Sequence, residues 1–287
     1  MRLPHILLAL SLAAPAVAVA DSGEPVRTYG DLTVHQPPQA RTEDPRGKMP
    51  SDQQGSLRMG EPRLWVGPEV PAYVPIGFDT LELLRLLPAE GGLLAVYREP
   101  YARGPGQPGC AAEAMWQNCK QQARFYRADG NLGWTVDFSA QFPRKDHLVV
   151  FDTLLDGKTL YYNESCQTYA KDARGKCSLV VAVDVSGAAP KQRWRSAPLV
   201  SNAPIVKRGP WLLTGYGFSA EKHYLSVIHA ASGKLATKVT VAKSPEVFKI
   251  SGDVLEVLIY GRDTSLRFSL ADLSADGKKA ALRLIKD

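Results

Sequence analysis

The chain carries no helical period, no strained nucleophile turn and no phosphate-binding glycine loop, and each absence removes a class of protein. Without apolar residues recurring at steps of three and four, helix bundles and doubly wound α/β folds are excluded. A Gly-x-Ser-x-Gly turn is missing. Gly217-Phe218-Ser219-Ala220-Glu221 comes closest and lacks the second glycine, so nothing points to a serine hydrolase elbow. Histidine is scarce: beyond residue 20 there are His35, His147, His223 and His229. The last two flank an extended run and stand about 20 Å apart, too far to share a metal. No C-x-x-C pair and no calcium-loop spacing occurs, and Asp152, Asp156 and Glu164 do not fit one, so no metal and no cofactor are expected. Beyond residue 20 no apolar run is long enough to span a bilayer, and no dense Lys/Arg block supports nucleic-acid binding.

What is present begins with an export signal. Arg2 supplies the positive start, residues 6–14 the apolar stretch, and Ala18-Val19-Ala20 a small-residue cleavage site, which predicts cleavage after Ala20 and a periplasmic or extracellular protein. Removing it leaves 34 Lys and Arg against 29 Asp and Glu, a scattered excess of about +5 that favours acidic partners only weakly. Residues 21–62 are rich in Pro, Gln, Asp and Gly and read as a flexible leader unable to bury enough apolar surface to order itself. Residues 63–287 are then one all-β domain.

That domain is built from a unit of two hairpins that recurs four times at roughly 45 residues. The first turns centre on Gly91, Gly157, Gly209 and Gly252, the second on Gly130, Gly187, Gly233 and Gly277. Asp-Gly and Ser-Gly between β-branched or aromatic runs are hairpin signals with a steric cause, since the turn needs positive φ. The first two units are longer, with insertions at 101–120 and 166–177 between their second and third strands. Because strands alternate direction, both turns of a unit fall on one face and the insertions and links on the other.

All four cysteines lie at the insertions. An even count in an exported chain argues for two disulfides. Three connectivities exist in principle. Cys110 with Cys119 and Cys166 with Cys177 is favoured, because each pair brackets a short polar insertion between strands that already lie side by side.

The units Tyr126-Arg127-Ala128-Asp129-Gly130-Asn131-Leu132-Gly133-Trp134, Val183-Asp184-Val185-Ser186-Gly187 with Trp194, and His229-Ala230-Ala231-Ser232-Gly233-Lys234-Leu235 resemble the repeats of quinoprotein-like and WD-like β-propellers, in which a strand, an Asp/Ser-Gly turn and a later aromatic recur in each blade. The resemblance covers about 83–287. It implies a β-propeller-like fold with four recognisable four-stranded blades, and the strand-like pieces at 64–76 are candidates for a missing outer strand or most of a fifth blade. It implies no quinone: the cysteines of each pair are not adjacent, unlike the vicinal disulfide of quinoprotein alcohol dehydrogenases.

The functional expectation concerns the insertion face. Tyr101, Arg103, Trp116, Tyr169, Lys171, Arg174 and Lys176 come from the insertions, Phe218 and Arg262 from loops on the same side. Aromatic and cationic side chains on stapled loops give a large contact area with little ordering cost on binding. The expected role is a non-enzymatic binding or scaffold protein for another exported protein or an acidic envelope component. The alternative is a hydrolase or lyase with its acid and base in the central channel. Asn163-Glu164-Ser165 is in addition a glycosylation sequon.

Overall fold

The computed structural model describes residues 27–29, 32–35, 65–66, 74–75, 77–99, 119–141, 148–166, 174–187, 189–218, 220–260 and 265–285. Among the described residues there are twenty-one strands and one helical turn. Strands β1 (Arg27–Tyr29), β2 (Leu32–His35) and β3 (Trp65–Val66) form a three-stranded antiparallel sheet. The segment expected to be a flexible leader thus contains two paired strands.

Four larger sheets follow in chain order. The first joins β4 (Gly77–Phe78), β5 (Leu81–Ala89), β6 (Gly92–Arg98), β7 (Gln121–Arg127) and β8 (Leu132–Asp137), and α1 (Phe138–Gln141) follows it. The second joins β10 (Thr153–Asp156), β11 (Thr159–Cys166), β12 (Leu179–Asp184) and β13 (Lys191–Arg195), with the short β9 (Leu148–Val149) on the far end of β11. The third is β14 (Val206–Arg208), β15 (Trp211–Tyr216), β16 (His223–His229) and β17 (Leu235–Val241). The fourth is β18 (Pro245–Ser251), β19 (Val254–Ile259), β20 (Ser265–Ser269) and β21 (Arg283–Leu284). Every pairing is between sequence neighbours apart from β9 with β11, and all are antiparallel.

This is a four-bladed β-propeller. The second strand of a blade is buried along its whole length in the second and third blades, whereas the outermost strands β13 and β17 are mostly exposed. Apolar clusters lie between successive sheets. Leu94 and Val136 of the first, with Phe138 of α1, pack with Leu160, Tyr162 and Val181 of the second. Tyr161, Val180 and Ala182 of the second pack with Leu212 and Ile228 of the third. Leu213 and Val227 of the third pack with Phe248, Leu255 and Phe268 of the fourth. On its other face the first sheet buries Leu83, Ala95 and Tyr97. The three-stranded sheet borders both ends of this series, β1 beside β18 and β3 beside β5, where a partial fifth blade would stand.

The turns follow from glycine. Seven of the eight predicted turn glycines have positive φ, from +53° at Gly157 to +84° at Gly130, where a side chain on Cβ would clash with its own backbone. Gly187 differs. The link from β12 to β13 is a wider loop, begun by Ser186 N–H donating to Asp184 Oδ1 at 2.9 Å, and no tight turn forces φ across zero. A register shift recurs between the third and outer strands of the first three blades, after Phe125, Ala182 and Val227. These three positions are equivalent by pairing, which confirms the repeat residue by residue.

Candidate functional site

The insertion face is set by antiparallel pairing. β6 ends at Arg98 and β7 starts at Gln121, while β11 ends at Cys166 and β12 starts at Leu179, so both insertions leave the sheets at the end opposite the glycine turns. Cys166 and Cys177 form a disulfide with Cα atoms 5.2 Å apart, and both are fully buried. Ser178, in the left-handed region at φ +60°, closes this corner: its hydroxyl accepts Cys166 N–H at 3.2 Å and its carbonyl accepts Val200 N–H at 2.8 Å. Cys119 is buried and disulfide-bonded, and its expected partner Cys110 lies outside the described residues.

The two corners are joined. Gln121, two residues past Cys119, accepts Val150 N–H on Oε1 at 3.0 Å, and the neighbouring Val149 pairs with Ser165 beside Cys166. Cys166, Cys177 and Tyr216 share one apolar cluster, with Phe218 and Tyr224 packed on it.

Of the residues expected to form a recognition surface, Arg174 and Lys176 are exposed on the bridged loop, Arg174 in the left-handed region at φ +53°. Phe218 is half-buried, edge-on to Tyr216 with ring centres 6.4 Å apart. Tyr101, Arg103, Trp116, Tyr169, Lys171 and Arg262 lie outside the described residues. His223 and His229 sit at opposite ends of β16, each in its own local contact: His223 Nε2 with Phe218 O at 3.0 Å, His229 Nδ1 with Ser232 Oγ at 3.2 Å. No group of three metal-ligating side chains occurs among the described residues.

Residues on or just ahead of β5, β10, β14 and β18 line a central cavity of about 390 Å³, among them Arg85, Asp152, Ile205, Lys207 and Ile250. Its wall holds a polar network that bridges three blades. Arg85 on β5 pairs with Asp152 Oδ1 and donates through Nη2 to Thr153 Oγ1 at 2.8 Å. Asp152 Oδ2 accepts Ile205 N–H at 2.7 Å, ahead of β14. Behind it Asn163, fully buried, accepts Phe151 and Asp152 N–H at 2.8 and 2.9 Å and donates to Ala203 O at 2.9 Å. The sequon asparagine is therefore a core bolt, without a free amide in the folded chain.

Asp152, Asp156 and Glu164 each have a separate cation. Asp156 meets Lys207 at 2.8 Å, and the buried Glu164 is gripped by both Nη atoms of Arg195, one at 2.7 Å. Such pairing neutralises the carboxylates one by one. Burial pushes the hydroxyls of Tyr97, Tyr162 and Tyr216 well above the usual tyrosine range, so they remain donors at all ordinary pH, as Tyr97 does to Pro75 O at 2.9 Å.

Sequence reasoning did not single out Arg85, Asn163 with Ala203, or Arg195. The signal was a charged or polar residue interrupting an apolar strand, as in Leu83-Leu84-Arg85-Leu86-Leu87. Such a residue needs a buried partner, but periodicity does not say which.

No family model and no curated protein matches the chain. Among solved structures it is similar to BamB from Moraxella catarrhalis, at 10% identity and a TM-score of 0.37 over 69% of this chain and 59% of that one. It is also similar to a protein of unknown function from Bacteroides caccae, at 12% identity and a TM-score of 0.42 over 77% and 63%. A third similarity is to KlAtg21 in complex with the coiled coil of AgAtg16, at 13% identity and a TM-score of 0.42 over 68% and 54%. The aligned part spans less than two thirds of each of these proteins. Likeness at this level says nothing of activity or partner, and the propeller assignment rests on the sheets themselves.

Proposed function

We propose that this chain is an exported, non-enzymatic propeller that holds another protein or an acidic envelope component on its disulfide-stapled face. The observation that carries the reading is the Cys166–Cys177 bridge, fully buried beneath a loop that presents Arg174 and Lys176 to solvent. Among the described residues neither cation meets a carboxylate. A loop held this way loses little entropy when it docks, and cations without internal partners are free to meet acidic groups. The signal at residues 1–20 and the disulfides agree with an oxidising compartment.

The rival reading, a hydrolase or lyase in the central channel, calls for a convergent acid and base there. Asp152 is the carboxylate among the described residues lining that cavity, and Arg85 and Ile205 N–H already occupy it.

Crosslinking in the native envelope followed by mass spectrometry tests the proposal. Charge reversal at Arg103, Arg174 and Lys176 is expected to abolish the crosslinked species while the protein stays folded. Undiminished capture would remove the case for this face.

A further inference from the structure

The opposite, turn-bearing face holds a slot whose counterpart one blade further on is filled by the chain's own tryptophan. Pairing makes Trp134, Trp194 and Thr237 equivalent: they stand opposite Phe125, Ala182 and Val227 on the outer strands of the first three blades. In the second blade the Trp194 indole lies over the Gly233 turn of the third. A Cβ on Gly233 would come within 2.4 Å of the ring, and Trp194 Nε1–H donates to Ala230 O at 3.1 Å. In the third blade Thr237 Oγ1 donates to Ala280 O of the fourth at 2.7 Å. Each of these side chains ties its blade to the next.

Among the described residues Trp134 makes no such hydrogen bond to the next blade. Its cross-strand partner is Phe125 in place of the small Ala182, and the two rings stack at 5.6 Å and 14°, which holds the indole over its own blade. The corresponding link of the second blade is two residues longer, and its Ser-Gly corner stays open: a Cβ on Gly187 meets nothing closer than Ala189 O at 3.8 Å. Between them lies a cleft of about 380 Å³, walled by Phe125 and Trp134 on one side and by Val185, Ser186 and Gly187 on the other. Val185 occupies the place of Ala230: both follow the third strand and donate N–H to the residue after the first turn's glycine, Lys158 O and Pro210 O respectively.

We propose that this cleft binds an aromatic side chain of a partner polypeptide, an indole or phenol laid over Gly187 against Trp134. The occupant follows from the molecule itself, since the equivalent slot accepts an indole seated on a Ser-Gly turn with its N–H on the turn carbonyl. Stacking against a half-buried aromatic pair adds to the burial of the incoming ring. The rim carries the exposed cations Arg127 and Lys158 and one carboxylate, Glu90, and so favours an aromatic residue with an acidic neighbour. This site is separate from the stapled face and stands or falls independently of it.

The test is titration of the full mature chain with the capped tripeptide Gly-Trp-Gly while the indole N–H resonances are followed, that of Trp134 being assigned from Trp134→Phe. The expected result is a saturable shift of the Trp134 resonance with a dissociation constant of about a millimolar, as befits a single side chain, and no shift of Trp194. Gly187→Val fills the slot at a position with open space and ordinary φ, so the variant keeps its fold and is expected to weaken the tripeptide at least tenfold. A shift that never saturates, an unchanged affinity in Gly187→Val, or a stronger response to a chito-oligosaccharide than to the tripeptide would each overturn the proposal, the last by assigning the cleft to a glycan.

Discussion

Arg85 and Asp152 form a buried ion pair across the first two blades, and the second oxygen of Asp152 takes a backbone N–H from the approach to the third. Three sheets are thereby referenced to one carboxylate at the channel wall. Both side chains are almost fully buried, and the Arg85 Nε has no partner among the described residues, so the guanidinium depends on Asp152 for compensation.

Removing that compensation is expected to cost far more than a surface pair. Asp152→Ala strands a buried guanidinium and should lower unfolding free energy by about 3–5 kcal/mol in urea melts followed by circular dichroism. Arg85→Leu combined with Asp152→Asn, which keeps an acceptor for Ile205 N–H, should recover more than half of that loss. A cost under about 1 kcal/mol for Asp152→Ala would show that the pair does not hold the blades.

Gly233 and Gly187 are both turn glycines in Ser-Gly pairs, yet they should respond oppositely. Gly233→Ala places a methyl against the Trp194 ring at φ +70° and is expected to destabilise by about 2 kcal/mol or more. Gly187→Ala meets open space and should stay within about 0.5 kcal/mol of the parent. Parallel thermal melts of the two variants decide the matter.

The Cys166–Cys177 bridge closes a separation of 11 residues. Replacing both cysteines with serine should lower stability by about 3 kcal/mol, since the unfolded chain regains the loop entropy. The denaturation midpoint of this variant should be lower than that of the parent under oxidising conditions, and the gap should narrow once a reductant opens the parent's bridges.

Acid should unfold the protein partly through its turns. Asp129 accepts Asn131 N–H at 2.9 Å, Asp184 accepts the Ser186 hydroxyl together with Ser186 N–H, the latter at 2.9 Å, and these bonds hold both carboxyls below their ordinary value of 3.8. A depressed folded-state value means that the stabilisation is complete above 3.8 and is lost as pH falls through the lower folded value. Asp129→Asn with Asp184→Asn keeps an acceptor that does not titrate. Its stability should fall less steeply than the parent's below pH 3.8, as read from urea midpoints across an acid series.

Much of the fold was legible because the features that write it are local. Positive φ at Gly91, Gly130, Gly157, Gly209, Gly233, Gly252 and Gly277 is demanded by tight turns, and the runs between them had to be strands of alternating direction. That alternation also separates the turn face from the insertions and makes Cys166 and Cys177 neighbours. The strands at 27–35 escaped notice, being three and four residues long in a polar stretch without periodicity. Gly187 departs from the tight turn expected of it because Ser-Gly marks a turn without stating the length of the loop around it.

The sequence by itself determined four hairpin pairs, their order and the bridged loop at Cys166–Cys177, since glycine stereochemistry and strand alternation act over a few residues. Only the tertiary structure decided that Arg85 meets Asp152, that Asn163 is locked against Ala203, and that Trp134 stacks on Phe125 while Trp194 leans over Gly233. Those outcomes depend on the side chain across the strand or on the next blade, residues distant in the chain whose approach is set by packing the whole propeller.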